Sequence, residues 1–250
     1  MKPLQNKVAI VTGSSRGIGA ATAILLARAG ACVAINYLSS EENARNVLSE
    51  VEGLGRKGKI IQADVRDPEG VKKLVDQTIA EFGRVDILVS NANISFAVKP
   101  FMEMSWEEFS SKLNNELRSA FHLCQAVVPY MEKQGGGKIV FISSSLSRTP
   151  SPGFVAHGTA KAAISAFAKY LAQELGPKNI VTNVIAPGLV LTDATKNQPA
   201  EVHESARKLT PLQRIAKPED VAGAVLSLTA DWNVFVNGAY IPVNGGMDMN

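Results

Sequence analysis

The chain has 250 residues, enough for one large α/β domain or two small ones with an ample core, and its 46% hydrophobic and 20% charged content is that of an ordinary soluble enzyme. A formal charge of +3, with no basic run or aromatic-interleaved patch, argues against a nucleic-acid partner. No stretch reaches the roughly 18 apolar residues of a membrane span, and the opening MKPLQNK lacks a signal-peptide apolar region, so a soluble cytoplasmic protein is expected.

Strands and helices are predicted to alternate almost to the end of the chain. The first strand, 7–12, carries the apolar run Val8, Ala9, Ile10 and Val11, the pattern of a buried parallel strand. Gly13, Gly17 and Gly19 follow at once and lead into an Ala/Leu-rich helix near 18–30. Glycines let backbone approach a pyrophosphate, and N–H groups at a helix start attract its charge. The same turn without a ligand is the plain alternative. Further strands are predicted at 31–37, 58–63, 85–90, 137–143, 179–185 and 238–242, with helices at 40–54, 68–82, 105–133, 155–176 and 217–230. Asp67-Pro68 and Lys217-Pro218-Glu219-Asp220 read as helix starts, and Gly30 as a helix stop. Such alternation predicts a doubly wound parallel sheet of about seven strands with helices on both faces. No linker or fixed-period repeat divides the chain, so residues 1–250 are expected to form a single domain. The polar segment near 193–210, punctuated by Pro199, interrupts the alternation and suggests a substrate lid. Cys32 and Cys124 read as buried free thiols, and no Cys/His cluster has metal-ligand spacing.

Thr12-Gly13-Ser14-Ser15-Arg16-Gly17-Ile18-Gly19 resembles the TGxxxGIG motif of the short-chain dehydrogenase/reductase family, and further landmarks follow in order across essentially the whole chain. Asp64, with Val65, ends the third strand, where the resemblance implies an adenine contact. Ser90-Asn91-Ala92-Asn93 resembles the family's NNAG. Ser143 and Ser144 end the fifth strand, Lys161 lies on the next helix, Pro187-Gly188 follows the sixth strand, and Thr192 stands where the family often meets the nicotinamide amide. With NYxxS after the second strand and a closing VNGGM, the texture is most similar to bacterial β-ketoacyl-carrier-protein reductases. The resemblance implies a Rossmann-type fold, a dinucleotide held by Gly13, Ser15, Arg16, Gly17, Ile18, Gly19, Asn36, Asp64, Val65, Asn91, Ala92, Lys161, Pro187, Gly188 and Thr192, and a homotetramer or dimer through the fourth and fifth helices. An acidic residue ending the second strand would repel a 2′-phosphate. That end instead reads Ile35-Asn36-Tyr37, and Arg16 offers a cation, so NADP(H) is the expected cofactor.

The catalytic pattern departs from the family's. Where the resemblance implies the tyrosine of YxxxK, the chain reads His157-Gly158-Thr159-Ala160-Lys161. Ser144 keeps the serine position. Glu116 stands at the asparagine position, although a short register change would bring Asn115 into play instead. Asn93 replaces the last glycine of NNAG. A positive Lys161 stabilises a tyrosinate, but beside histidine it favours the neutral ring, a poor acid. A carboxylate at Glu116 would work the other way and orient the imidazole. Phe96, Phe154 and Leu189 follow strand ends and are expected to line the substrate pocket together with Asn93. His122 and His203 read as surface or packing residues, and Trp106 and Phe109 as packing or oligomer contacts.

Three functions stay open at this point. One is a divergent NADPH-dependent carbonyl reductase acting on an acyl or polyketide-like thioester. Another is a non-redox dehydratase, isomerase or cyclase using Ser144, His157 and Glu116. The third is a non-catalytic partner in a hetero-oligomer with an active relative. Hydrolysis ranks lowest, because no G-x-S-x-G elbow is present.

Overall fold

Strands that are apolar on both sides need cover on both sides, and β1 (Val8–Val11), buried at every position, shows the consequence. A computed structural model of the chain describes residues 2–248. Its core is a parallel sheet formed by β1, β2 (Cys32–Tyr37), β3 (Gly58–Gln62), β4 (Ile87–Ser90), β5 (Gly137–Ile142), β6 (Ile180–Pro187) and β7 (Tyr240–Val243). The strands lie in the order β3-β2-β1-β4-β5-β6-β7. Helices α1 (Gly17–Arg28), α2 (Glu41–Gly53) and α7 (Pro218–Thr229) pack together over one apolar layer; α3 (Pro68–Phe82), α4 (Trp106–Lys133) and α5 (Val155–Leu175) cover the other. The doubly wound arrangement expected from the alternation is therefore the one observed.

Element ends differ from the predicted ones by a few residues, for identifiable reasons. β4 begins at Ile87 because the Asp86 carboxylate accepts the Val8 N–H at 2.9 Å and the Arg84 Nε–H at 2.8 Å. Asp67 caps α3 as its sequence suggested, accepting the Gly70 N–H at 3.1 Å. The segment expected to be a polar lid contains a helix that the sequence analysis did not place, α6 (Ala200–Leu209). Glu201 in its first turn and Arg207 and Lys208 in its last complement the helix dipole. His203 bonds the Thr195 carbonyl through Nε2 at 3.0 Å, tying α6 back onto the preceding loop.

Strand order reverses between β1 and β4, and a crevice opens there at the C-terminal ends of the strands. The glycine loop leaves β1 at this crevice, Asn91 leaves β4, and Ser143 and Ser144 leave β5. Both cysteines are free, but only Cys124 is buried; Cys32 is half-buried, with the Arg56 guanidinium 3.9 Å from its sulfur.

Candidate functional site

The glycine loop is held from three sides. Gly13 has φ of +60° and Gly17 of +57°, the left-handed region that glycine enters without strain. The Gly13 N–H donates to Asn36 Oδ1 at 3.1 Å, while Asn36 Nδ2 donates to the carbonyls of Ile61 and Ala63 at 3.3 and 3.0 Å. Asn36 thus joins β1, β2 and β3 beneath the loop. From the other side, Asn91 Nδ2 donates to the carbonyls of Thr12 and Gly13 at 2.8 and 3.2 Å, and Thr12 Oγ1 accepts the N–H groups of Asn91 and Ala92. Any Cβ on Gly19 would lie 2.4 Å from the Gly13 carbonyl oxygen, so only glycine lets α1 start this close to the loop. Thr192 lies against Gly17. Arg16 is exposed at the loop's tip, and Ser15 and Ile18 are half-buried beside it.

Several residues expected to meet a dinucleotide turn their side chains elsewhere. Asn36 is buried and its amide serves the loop and β3. Val65 is buried in the apolar layer of α3 and α4, leaving only its backbone for a ligand. The Asp64 carboxylate is bound by the Arg66 guanidinium at 2.5 to 3.0 Å, and those hydrogen bonds hold it below the usual carboxylate range. Pro187 ends β6, and the Gly188 N–H donates to the Val243 carbonyl at 3.1 Å.

The second half of the site stands on α4 and α5. Glu116, 5% exposed, receives the ammonium groups of two lysines. Lys112 Nζ donates to Oε2 at 2.6 Å and Lys161 Nζ to Oε1. Lys161 also donates to the Ile142 carbonyl at 2.9 Å, and its own carbonyl accepts from Ser143 Oγ at 3.0 Å, so α5 is pinned to the end of β5. Ser144, half-buried, accepts the Leu146 N–H at 3.2 Å through Oγ. His157, 8% exposed, stacks on Phe96 with ring centroids 4.4 Å apart and planes 21° apart; Phe154 lies 6.2 Å from Phe96. The buried Nδ1 of His157 has no hydrogen-bond partner among the described residues. Leu189 is half-buried on the segment after β6.

Two expectations are corrected here. Asn115 does not enter the site: its amide donates to Ser111 Oγ at 3.2 Å on the exposed side of α4, and the helical register puts Glu116 inward. Nor does Glu116 orient His157, because both of its oxygens are taken by lysines and no hydrogen bond joins it to the ring among the described residues. Lys112 was absent from the sequence expectations altogether. Its spacing of four residues from Glu116 on one helix was the available signal, but such pairs ordinarily lie on solvated faces.

Charge in this cluster follows from burial and pairing. Burial alone would raise Glu116, but Lys161 and Lys112 outweigh it and hold the carboxyl below its usual range. Burial pushes Lys112 down to about 8, with Lys161 adding repulsion and Glu116 resisting. Burial, then Lys161 and Lys112, push His157 down to about 3 against the weaker pull of Glu116. The imidazole is therefore neutral at physiological pH: it can donate one hydrogen bond but has little strength as an acid.

Two measurements check this electrostatic arrangement. Glu116→Gln leaves two buried ammonium groups facing each other without a counter-charge, and urea unfolding should show a loss of about 3–5 kcal/mol. The second concerns pH. Since the native ring sits near 3 and the ordinary value is 6.5, unfolding takes up a proton between those limits. The stability contribution is full above the upper limit and falls as pH drops through the window. From pH 7 to 5 the protein should lose about 2 kcal/mol more than His157→Gln does. Parallel curves for the two proteins would mean the ring titrates normally.

Among the described residues, no group of three or more His, Cys, Asp or Glu could hold a metal ion, and no helix is long and apolar enough to cross a membrane. Comparison with known proteins gives a consistent picture. The family profile described as enoyl-(acyl carrier protein) reductase matches residues 13–248. The 3-oxoacyl-[acyl-carrier-protein] reductase FabG of Thermotoga maritima is 36% identical over 244 residues, covering 98% of each chain. A short-chain dehydrogenase from Burkholderia cenocepacia, solved in complex with NADP, superposes with a TM-score of 0.92 at 36% identity, covering 99% of this chain and 100% of that one. A 7α-hydroxysteroid dehydrogenase complexed with NADH and 7-oxoglycochenodeoxycholic acid superposes at 0.93 with 36% identity, covering 99% and 97%. With the glycine loop at the sheet's switch point and Lys161 pinned beside the end of β5, this likeness over nearly the full length places the chain in the short-chain dehydrogenase/reductase family.

Proposed function

We propose that the chain binds NADP(H) and reduces the carbonyl group of an acyl- or polyketide-like thioester, with a proton relay altered from the family's. One observation carries the reading: a glycine loop, clamped by Asn36, Asn91 and Thr12, faces the same strand-end crevice as Ser144, His157 and Lys161. Relatives of closely similar length and fold include a ketoacyl-type reductase and a dehydrogenase solved with NADP, which supports both the ligand and the reaction.

The phosphate end fits a dinucleotide. The left-handed glycines keep backbone rather than side chains against the ligand, and the first N–H groups of α1 have no partner within their own helix. β2 ends at Tyr37; Leu38, Ser39 and Ser40 follow, and the first carboxylate, Glu41, is paired with Arg45 at 2.5 Å. No acidic group at the strand end repels a 2′-phosphate, and exposed Arg16 is the cation to receive it. Thr192, Pro187 and Gly188 would flank the nicotinamide, and Asp64 with the Val65 backbone the adenine.

When bound, the nicotinamide supplies the hydride. The Ser144 hydroxyl orients the carbonyl, and Phe96, Phe154 and Leu189 offer apolar faces to the substrate chain. His157, held neutral, donates a hydrogen bond to the developing oxyanion, and water delivers the proton that a tyrosine would otherwise supply. Lys161 stays bound to Glu116 and to the Ile142 carbonyl, which limits its help to ribose and relay alike. That capture also favours a second reading, a cofactor-binding subunit with little turnover of its own. Exposed Phe121 on α4 and Tyr170 on α5 suit a subunit contact through these helices, with a second copy or an active relative. A dehydratase, isomerase or cyclase built on a Glu116–His157 pair draws no support from two groups that do not meet.

Cofactor choice and relay are separately testable. Arg16→Ala should weaken NADPH binding about tenfold, read by nicotinamide fluorescence, with NADH binding unchanged. Equal losses for both nucleotides would end the assignment to NADP(H). His157→Tyr combined with Glu116→Asn restores a phenol and frees Lys161, and should raise kcat for an acetoacetyl thioester about a hundredfold. NADPH binding without turnover in either protein would leave the non-catalytic reading standing.

A further inference from the structure

Lys112 is the most deeply buried charged side chain of the site, with 0% side-chain exposure. Its ammonium has three protons, and three oxygens receive them: Asn93 Oδ1 at 3.0 Å, the Ile94 carbonyl at 2.7 Å and Glu116 Oε2 at 2.6 Å. Two of these belong to the segment leaving β4, so a single side chain of α4 fastens that segment to the helix. The same ammonium lies 5.0 Å from the centroid of the Phe96 ring, which attracts a cation through its face. Phe96 in turn stacks on His157. A continuous line of contacts therefore runs from α4, through residues 93–96, to the first turn of α5.

We propose that Lys112 is a positioning residue: it fixes residues 93–96 as one wall of the crevice and, through Phe96, sets the plane of the His157 ring. The bonds need no dinucleotide, since every partner belongs to the chain. Lys112 itself cannot contact substrate, because all three protons are in use and the side chain is closed off from solvent. Its effect on turnover, which rests on the carbonyl-reductase reading, is exerted on substrate fit, while the glycine loop on the far side of the crevice stays as it is.

Lys112→Met is the direct test. It keeps much of the volume and leaves Glu116 and Lys161 as a matched pair, so a folded protein is expected. Without the ammonium, residues 93–96 lose their anchor and Phe96 leaves the imidazole. The His157 ring protons, shielded by the stacked ring in the parent protein, should then move downfield in the NMR spectrum, a readout that requires no activity. The KM for an acetoacetyl thioester should rise about tenfold while the NADPH dissociation constant stays within about twofold. Asn93→Ala removes one of the three oxygens and should shift both readouts in the same direction by less, which keeps the test decisive if Lys112→Met fails to fold. Unmoved His157 resonances in the folded variants would overturn the proposal. Moved resonances with no ketone turnover in any protein would uphold the positioning role and reject the reductase reading instead.

Discussion

The arrangement of the site depends on one carboxylate shared between two buried ammonium groups. Both ammonium groups meet this carboxylate where all three side chains are buried, so each lysine draws its counter-charge from Glu116. Because Lys112 comes from the same helix and Lys161 from the next, the shared charge joins α4 to α5. Because Lys112 also binds the segment after β4, and Lys161 the end of β5, it joins both helices to the sheet. The geometry around the crevice follows from satisfying these three charges at once.

That solution has a chemical consequence. Two cations against one anion leave the cluster with a net positive charge beside His157, and burial adds to it, so the ring is held neutral. Lys161 thus discourages an ionised imidazole at His157. Glu116 accommodates Lys112 and Lys161 but makes no hydrogen bond to the ring among the described residues. A neutral imidazole in this position can donate a hydrogen bond but is a weak source of a proton.

The glycine loop is built by different means. Its shape comes from neutral hydrogen bonds of Asn36, Asn91 and Thr12, which leave the backbone N–H groups at the start of α1 facing the crevice. No charge is buried there, so the dinucleotide half of the site does not depend on the pairing in the other half.

Much of the fold was legible in the residues. Apolar strand runs, Asp67 and Asp220 at helix starts and the spacing of Gly13, Gly17 and Gly19 are local signals, and local signals survive in a linear reading because they act over a few residues. His157 and Lys161, four residues apart, were equally plain as neighbours on one helical face, since that spacing is a matter of counting. Lys112 was not: a lysine four residues from a glutamate has the same appearance on a solvated face as in a core, and only the packing of α4 against the sheet decides which. The same holds for Asn36, read as a ligand contact and found bracing the loop, and for Glu116, expected at the imidazole and found between lysines. Sequence alone determined the strands and the helices that flank them, though not α6, and which chemical groups follow the strand ends; the tertiary structure decided which of those groups pair, because partners for a buried charge are chosen by three-dimensional proximity and the cost of desolvation, neither of which is written in spacing.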